Sequence, residues 1–264
     1  MHPLSQSPHT VISATHMTPS LVRVTISLPA PDQSLSSLNF DLGLGDFVRL
    51  STPHTKYLKA RAYSPTSAPS REGSFDITVK VYPDGVMSRA IGALKPGDTV
   101  NVLGPLPVPW LTKKRSLAHT HAGFLAMGIG ITEILQLARS ELCDPLIQTA
   151  TLLWVVRGAE DCEWCYGELE EIAKGSGGRF QWAVHMTRDK GRPTADSLRE
   201  AFKSGAAETA VLCVGTKQMM SSGYTMFAAA GFKKKLLRFG FRSPLGRRSS
   251  PMVADNKKRP INSV

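Results

Sequence analysis

Arg61-Ala62-Tyr63-Ser64-Pro65-Thr66 is the stretch on which the reading of the fold turns. It follows a strand-like run, Asp46-Phe47-Val48-Arg49-Leu50-Ser51, and precedes another from Phe75 to Tyr82. A two-residue period at a strand end sets Arg61 and Tyr63 on one face and Ser64 on the other. A guanidinium forks onto phosphate, an aromatic ring packs beside a planar heterocycle, and a hydroxyl bonds its edge. The trio therefore suits a flat, phosphate-bearing ligand.

Outward from this stretch the N-terminal part reads as short strands with turn signals. Leu21 to Leu28 alternates cleanly, Thr18-Pro19-Ser20 turns the chain before it, and Pro29 ends it. Residues 31–45 are loop-like, and further strands are expected at 46–51, 57–64, 74–82 and 98–103. Such a series predicts a small antiparallel barrel. One helical insert interrupts it. Pro83 and Gly85 break the strand, Ser88 is placed as N-cap, and Lys95-Pro96-Gly97 returns the chain to the sheet. Free N–H groups at that helix start make either an anion site or a plain capped helix over a barrel opening. Gly104-Pro105-Leu106-Pro107-Val108-Pro109 cannot continue a sheet interior, and a domain boundary is expected near 108–120.

From residue 123 the pattern changes. Strands are expected at 124–127, 149–156, 180–185 and 209–214, and helices at 133–142, 166–174, 196–203 and 219–230. Alternating β and α units predict a doubly wound parallel sheet. Ligands of such sheets bind at the carboxyl ends of the strands, which places Gly128 to Thr132 and Gly215 to Met219 at the mouth. The expected division is a first domain over 1–112, a second over 120–232 and a basic tail over 233–264.

Length and composition fit this division. The chain has 264 residues, 42% hydrophobic and 20% charged, which is ordinary for a soluble globular protein of one or two domains. No apolar run reaches membrane-spanning length, and the N-terminus lacks a secretory pattern, so a cytoplasmic location is expected. The net charge of +11 suggests nucleic acid, but its distribution argues against a specific reader. After Phe232 ten basic residues face one acid, Asp255, and the rest of the chain is nearly neutral. Such a tail attracts acidic partners through long-range charge. Cys162-Glu163-Trp164-Cys165 is a lone C-x-x-C without a second pair, so zinc is not expected; it is either a redox dithiol or two unremarkable cysteines near a helix start.

Taken in order, the motifs resemble the ferredoxin–NADP reductase superfamily, particularly its cytochrome b5 reductase-like branch. The carriers are Arg61-Ala62-Tyr63-Ser64; Lys80-Val81-Tyr82 with Gly85-Val86-Met87-Ser88; Gly97-Asp98-Thr99-Val100 with Gly104-Pro105; Gly128-Ile129-Gly130-Ile131-Thr132; and Val214-Gly215-Thr216-Lys217-Gln218-Met219. The resemblance implies an FAD-binding β-barrel followed by a nicotinamide-nucleotide-binding α/β domain. It implies that Arg61 holds the FAD pyrophosphate, with the N–H groups at Met87 and Ser88. Tyr63 would lie against the isoalloxazine and Ser64 near flavin N5, with Tyr82 and Gly85 completing the flavin side. Lys80 would assist the nicotinamide nucleotide, Thr132 would stand at the flavin–nicotinamide contact, and Gly128, Gly130 and Gly215 would line the nucleotide mouth. Ser64, Tyr63 and Thr132 are thus the expected catalytic set, and no metal is implied.

The implied activity is an oxidoreductase that passes hydride from NAD(P)H to flavin and electrons to a separate acceptor or small-molecule substrate. The basic stretch Thr187-Arg188-Asp189-Lys190-Gly191-Arg192, with Arg157, tilts the choice toward NADPH; a solvated basic loop is the alternative. The nicotinamide half departs from the family pattern. Met127 and Ile129 replace small or hydroxylated residues, Glu133 replaces proline, Val214 replaces a cysteine, and Cys213 is expected on the opposite face of its strand. Two competing expectations follow. One is a flavoprotein with a degenerate nicotinamide site, turned to another reaction such as a cyclisation; the other is a non-enzymatic binding module.

Overall fold

A computed structural model describes residues 7–38, 47–52, 60–106, 120–203, 209–233 and 237–240. The expected boundary at 108–120 and most of the basic tail lie outside them.

The first domain contains β1 (Ser7–Thr18), β2 (Leu21–Ser27), β3 (Phe47–Ser51), β4 (Arg61–Tyr63), β5 (Ser74–Lys80), α1 (Val86–Gly92) and β6 (Thr99–Leu106). The strands form one sheet in the order β4-β3-β6-β1-β2-β5, every pair antiparallel. β1 serves two neighbours. Its first residues pair with β6 (His9 opposite Val100), and the rest pair with β2 (Ala14 opposite Val24). A register shift between Val11 and Ser13 marks the change of partner; the extra residue, Ile12, turns out to solvent. The sheet closes because the chain past β4 reaches β5. Pro65 bridges Ile77, and Thr66 N–H donates to Asp76 O at 2.8 Å. The predicted barrel is therefore present, filled by inward residues such as Val22, Val24, Ile26, Phe75, Ile77 and Val79 and plugged by Met87 and Ile91 of α1.

Two local expectations are corrected here. β6 runs through Gly104 and Pro105 to Leu106. Among the described residues β1 pairs with it only up to Val102, so this end, where proline is tolerated, has β3 as its one described neighbour. The helical insert starts earlier than expected: Gly85, not Ser88, is the N-cap of α1. Ser88 sits inside the first turn, where its hydroxyl donates to Gly85 O (3.2 Å) and accepts from Tyr82 N–H (3.1 Å).

The second domain holds β7 (His121–Met127), α2 (Ile131–Cys143), β8 (Thr149–Val156), α3 (Tyr166–Gly175), β9 (Phe180–Met186), α4 (Thr187–Lys190), α5 (Ala195–Ala201), β10 (Thr209–Val214), α6 (Lys217–Ala229) and β11 (Leu237–Gly240). Its sheet is parallel throughout, in the order β11-β10-β7-β8-β9. Parallel strands covered on both faces read as continuous apolar runs, and β10 is buried along its whole length. α2 and α3 cover one face, where Trp154, Leu152 and Phe124 form the core. α5 and α6 cover the other, with Leu125, Leu198 and Phe227. The fifth strand corrects the expected boundary at 232. Leu237–Gly240 pairs with Val211–Val214, so the sheet continues into what composition marked as tail.

Candidate active site

Barrel closure assembles the first half of the site. Arg61 and Tyr63 lie on the edge strand β4, opposite Leu50 and Val48. Because the chain past β4 bridges β5, this edge comes beside the β5 end that leads through Lys80 and Tyr82 to α1. The Arg61 side chain is exposed and donates to its neighbour's carbonyl, Ala60 O, at 3.2 Å. Tyr63 is half-buried and Ser64 buried. Tyr82 and Val86, 48% and 52% exposed, flank the helix start as an open apolar surface. Met87 and Ser88 turn their side chains inward. No side chain caps α1, so its first amides lack an intrahelical acceptor. Gly85 is required there: a Cβ would come within 2.3 Å of Ser88 Oγ and 3.1 Å of Tyr82 Cβ. An exposed guanidinium, a half-buried ring and an uncovered turn fit the phosphate and ring of a dinucleotide such as FAD.

The second half lies where the strand order reverses, between β7 and β10. Gly128–Gly130 forms a tight 3-10 turn, opened by Gly128 at φ 56°, a left-handed value that favours glycine. The Trp154 indole N–H donates to Gly128 O at 2.8 Å and holds the turn against the sheet. Gly130 lies against β10: a Cβ would meet Val214 O at 2.6 Å. Gly215 likewise faces the Met127 side chain, whose Cε is 3.1 Å from the position of a Cβ. Thr132 is buried in the first turn of α2, where its hydroxyl donates to Ile129 O at 3.0 Å. Glu133 beside it is also buried. Cys213 and Val214 face opposite sides, Cys213 toward the α6 core and Val214 toward the α2 core.

The halves meet across a cleft lined by Leu21, Lys80, Gly128, Ile129, Asp161 and Trp164. Lys80 Nζ lies 3.0 Å from Asp161 Oδ1. Asp161 is itself held: the Trp164 indole N–H donates to its carbonyl at 3.0 Å, and Trp164 packs edge-on against Trp154 with ring centroids 6.0 Å apart. Arg23 of β2 pairs with Glu168 of α3. Gln136 of α2 donates from its amide nitrogen to Pro65 O (3.3 Å) and Ser67 O (2.5 Å). Sequence reasoning missed Asp161 and Gln136. Gln136 had a usable signal, since it lies one helical turn from Thr132; Asp161 had none in its local sequence.

Beyond β8 and β9 the exposed Arg157, Arg188, Lys190 and Arg192 form a basic rim. Within it Thr187–Lys190 forms a helical turn, α4. Glu160 tempers the rim. It pairs with Arg188 at 2.6 Å, and a backbone hydrogen bond in its own turn, then Arg188, hold its carboxyl below the usual range. The C-x-x-C does not fit a redox dithiol. Cys162 and Cys165 are buried, and burial pushes both thiols up, away from the reactive thiolate. Among the described residues no group of three or more His, Cys, Asp or Glu is placed to hold a metal.

Comparison with known proteins agrees with this geometry. Residues 8–107 match the family model of the oxidoreductase FAD-binding domain, and residues 119–234 match that of the ferric reductase NAD binding domain. An NADH-cytochrome b5 reductase 2 of Botryotinia fuckeliana is 33% identical over 155 residues, 58% of this chain and 43% of that protein. NADH-cytochrome b5 reductase 2 of Homo sapiens is 28% identical over 230 residues, 76% of this chain and 81% of that protein. The fold is shared with the cytochrome b5 reductase domain of Ulva prolifera nitrate reductase, at TM-score 0.72 and 22% identity over 91% of this chain and 99% of that one. The share of the relatives covered varies: the match spans 43% of the Botryotinia protein and 27% of a nitrate reductase of Phaseolus vulgaris. Barrel, parallel sheet and cleft together define a two-domain flavin–nicotinamide oxidoreductase fold. The chain joins an oxidoreductase FAD-binding domain to a ferric reductase NAD binding domain, the pairing of the ferredoxin–NADP reductase superfamily, and is similar to the NADH-cytochrome b5 reductases.

Proposed function

We propose that this protein is an FAD-dependent reductase that draws electrons from a reduced nicotinamide nucleotide and delivers them to a separate acceptor. The observation that carries the reading is the meeting across one cleft of Lys80, from the barrel, with the Gly128–Ile129 turn of the second domain. Bound FAD supplies the redox chemistry, a two-electron centre that accepts hydride from the C4 position of nicotinamide. The chain's residues bind, orient and exclude water. Arg61 would hold the pyrophosphate through its guanidinium. Tyr63 packs against the ring system, and Ser64 offers a hydrogen-bonding group from the strand end. Tyr82 and Val86 shield the open side. Lys80 attracts the nucleotide's anionic part, while Gly128, Gly130 and Gly215 keep backbone, not side chain, at the mouth. Holding both rings in register in a water-poor cleft is the protein's contribution to rate.

NADPH is the nucleotide this reading prefers, because Arg157, Arg188, Lys190 and Arg192 are all exposed on the rim beyond β8 and β9. The deciding experiment is anaerobic. The purified, flavin-loaded protein is mixed with NADPH or NADH and its flavin absorbance followed. Bleaching is expected, faster with NADPH. A yellow protein bleached by neither nucleotide would favour the degenerate-site reading, and a protein that binds no flavin would favour the non-enzymatic one.

A further inference from the structure

Gln136 is 2% exposed and lies one turn beyond Thr132 on α2. Its amide nitrogen donates to the carbonyls of Pro65 and Ser67, 71 and 69 residues away. Two carbonyl partners require the NH2 end of the amide to face them, which settles its orientation. The other end, Oε1, is buried without a hydrogen-bond partner. A buried, orphaned acceptor is costly, so packing alone gives no reason for an amide at this position. The receiving loop is just as specific. It directly follows Arg61-Ala62-Tyr63-Ser64, and its far side is fixed to β5 by the Pro65–Ile77 bridge and by Thr66 N–H donating to Asp76 O. Gln136 is thus a direct hydrogen-bonded link between the loop that follows Ser64 and α2, the helix that carries Thr132 in its first turn.

We infer that Gln136 is a positioning residue for the transfer step: it sets the spacing between the flavin-facing loop and the nicotinamide-facing turn. This role rests on the nicotinamide-to-flavin reading above, in which the C4–H bond of the reduced nicotinamide breaks and an N–H bond forms at flavin N5. The electron pair travels with the hydrogen, so nicotinamide is oxidised and flavin reduced. Neither ring is touched by Gln136 in this assignment; it acts through Pro65 and Ser67 on one side and α2 on the other. A misplacement near 1 Å costs on the order of 100-fold in rate when reacting atoms must be aligned.

The test uses Gln136→Met, which keeps length and volume but donates nothing, and Gln136→Glu, which donates only when protonated. In anaerobic stopped-flow with NADPH, Gln136→Met is expected to keep its FAD and its half-saturating nucleotide concentration. Its limiting rate of flavin reduction should fall by about tenfold or more, and the long-wavelength charge-transfer band of the stacked rings should weaken. Gln136→Glu should share the defect at pH 8 and regain rate relative to wild type as pH falls, because the protonated carboxyl again donates to a loop carbonyl. Hydrogen exchange of the flavin-free protein provides a readout independent of activity: amides of residues 64–67 and of the first turns of α2 should exchange faster in Gln136→Met. An unchanged limiting rate with FAD retained would overturn the assignment. So would a Gln136→Glu defect with no pH recovery, or exchange equal to wild type. If the wild-type protein is not reduced by either nucleotide, the functional reading fails, and hydrogen exchange alone decides whether Gln136 locks the two elements together.

Discussion

The Lys80–Asp161 pair makes the functional reading quantitative. Lys80 is the cation expected to draw the nucleotide into the cleft, yet its ammonium already lies 3.0 Å from a carboxylate of the other domain. Nucleotide entry must displace or share that contact. The side chains keep 30% and 22% of their exposure, so the pair is partly solvated. At that separation a fully hydrated pair attracts by roughly 1.4 kcal/mol, of which about 1 kcal/mol survives the entropy of holding two side chains together. Replacing Asp161 by Asn frees the lysine, and 1 kcal/mol corresponds to about fivefold in affinity. The assay is anaerobic flavin reduction at varied NADPH. Asp161→Asn should lower the half-saturating concentration about fivefold and leave the limiting rate nearly unchanged. In a Lys80→Met background the same change should do almost nothing, because the partner is gone. A half-saturating concentration that rises in Asp161→Asn, or an equal effect in both backgrounds, would refute the claim that the carboxylate competes for Lys80.

Four further outcomes are expected. Arg61→Ala should empty the flavin site, read as loss of the yellow chromophore on purification; full FAD retention would refute phosphate binding by Arg61. Gly130→Ala drives a Cβ to 2.6 Å from Val214 O, a backbone contact no rotamer relieves. It should lower stability by about 1–3 kcal/mol in urea unfolding, and an unchanged midpoint would contradict the close approach of the two loops. Of the free thiols, Cys143 is exposed while Cys162, Cys165 and Cys213 are buried; one should react with Ellman's reagent in the folded protein at pH 8 and the rest only on unfolding. Burial pushes the Cys213 thiol up to about 12. The folded state therefore keeps this proton after the unfolded chain has lost it near pH 8.5. Stability from this group is full below about pH 8.5 and declines as pH rises toward 12. The urea midpoint should fall over that window, and fall less in Cys213→Ala.

Legibility followed locality. Thr149–Val156 and Thr209–Val214 appear as strands where their apolar runs place them, because each run carries its own boundaries. The turn at Gly128 is a demand of backbone geometry, which a sequence states directly; the N-cap of α1 was misread, because the Ser88 hydroxyl bonds back to Gly85 O and Tyr82 N–H from inside the first turn. What escaped was set by docking. Nothing near Asp161 announces that its partner is Lys80, since the pairing exists only once Trp164 and Trp154 have fixed the 158–165 segment against the sheet. β11 was hidden for a different reason. Leu237–Gly240 is a short strand next to a lysine run, and charge dominated its composition, while the pairing edge of β10 that fixes it lies far back in the chain. The end of β6 escaped because proline is excluded from sheet interiors, whereas among the described residues this strand end pairs with β3 alone.

The departures at the nicotinamide face read differently once placed. Met127 stands where the family carries a small residue, and in isolation it threatens the mouth. In the fold it is 6% exposed and turned toward α6, with its Cε 3.1 Å from the Cβ position of Gly215 and 3.9 Å from that of Gly223. Two glycines make the room it occupies, so its bulk is spent in the core. Glu133 is buried in the first turn of α2, where the helix's partial positive charge favours an anion. Gly128 and Ile129 line the cleft, and the backbone of their turn is set by the left-handed φ of Gly128, the Trp154 hydrogen bond and the approach of Gly130 to Val214. None of these three features depends on the side chains of Met127 or Glu133. The loss of a cysteine at Val214 is another matter. Val214 points into the α2 core and Cys213 away from it, so neither neighbour restores a thiol to that face.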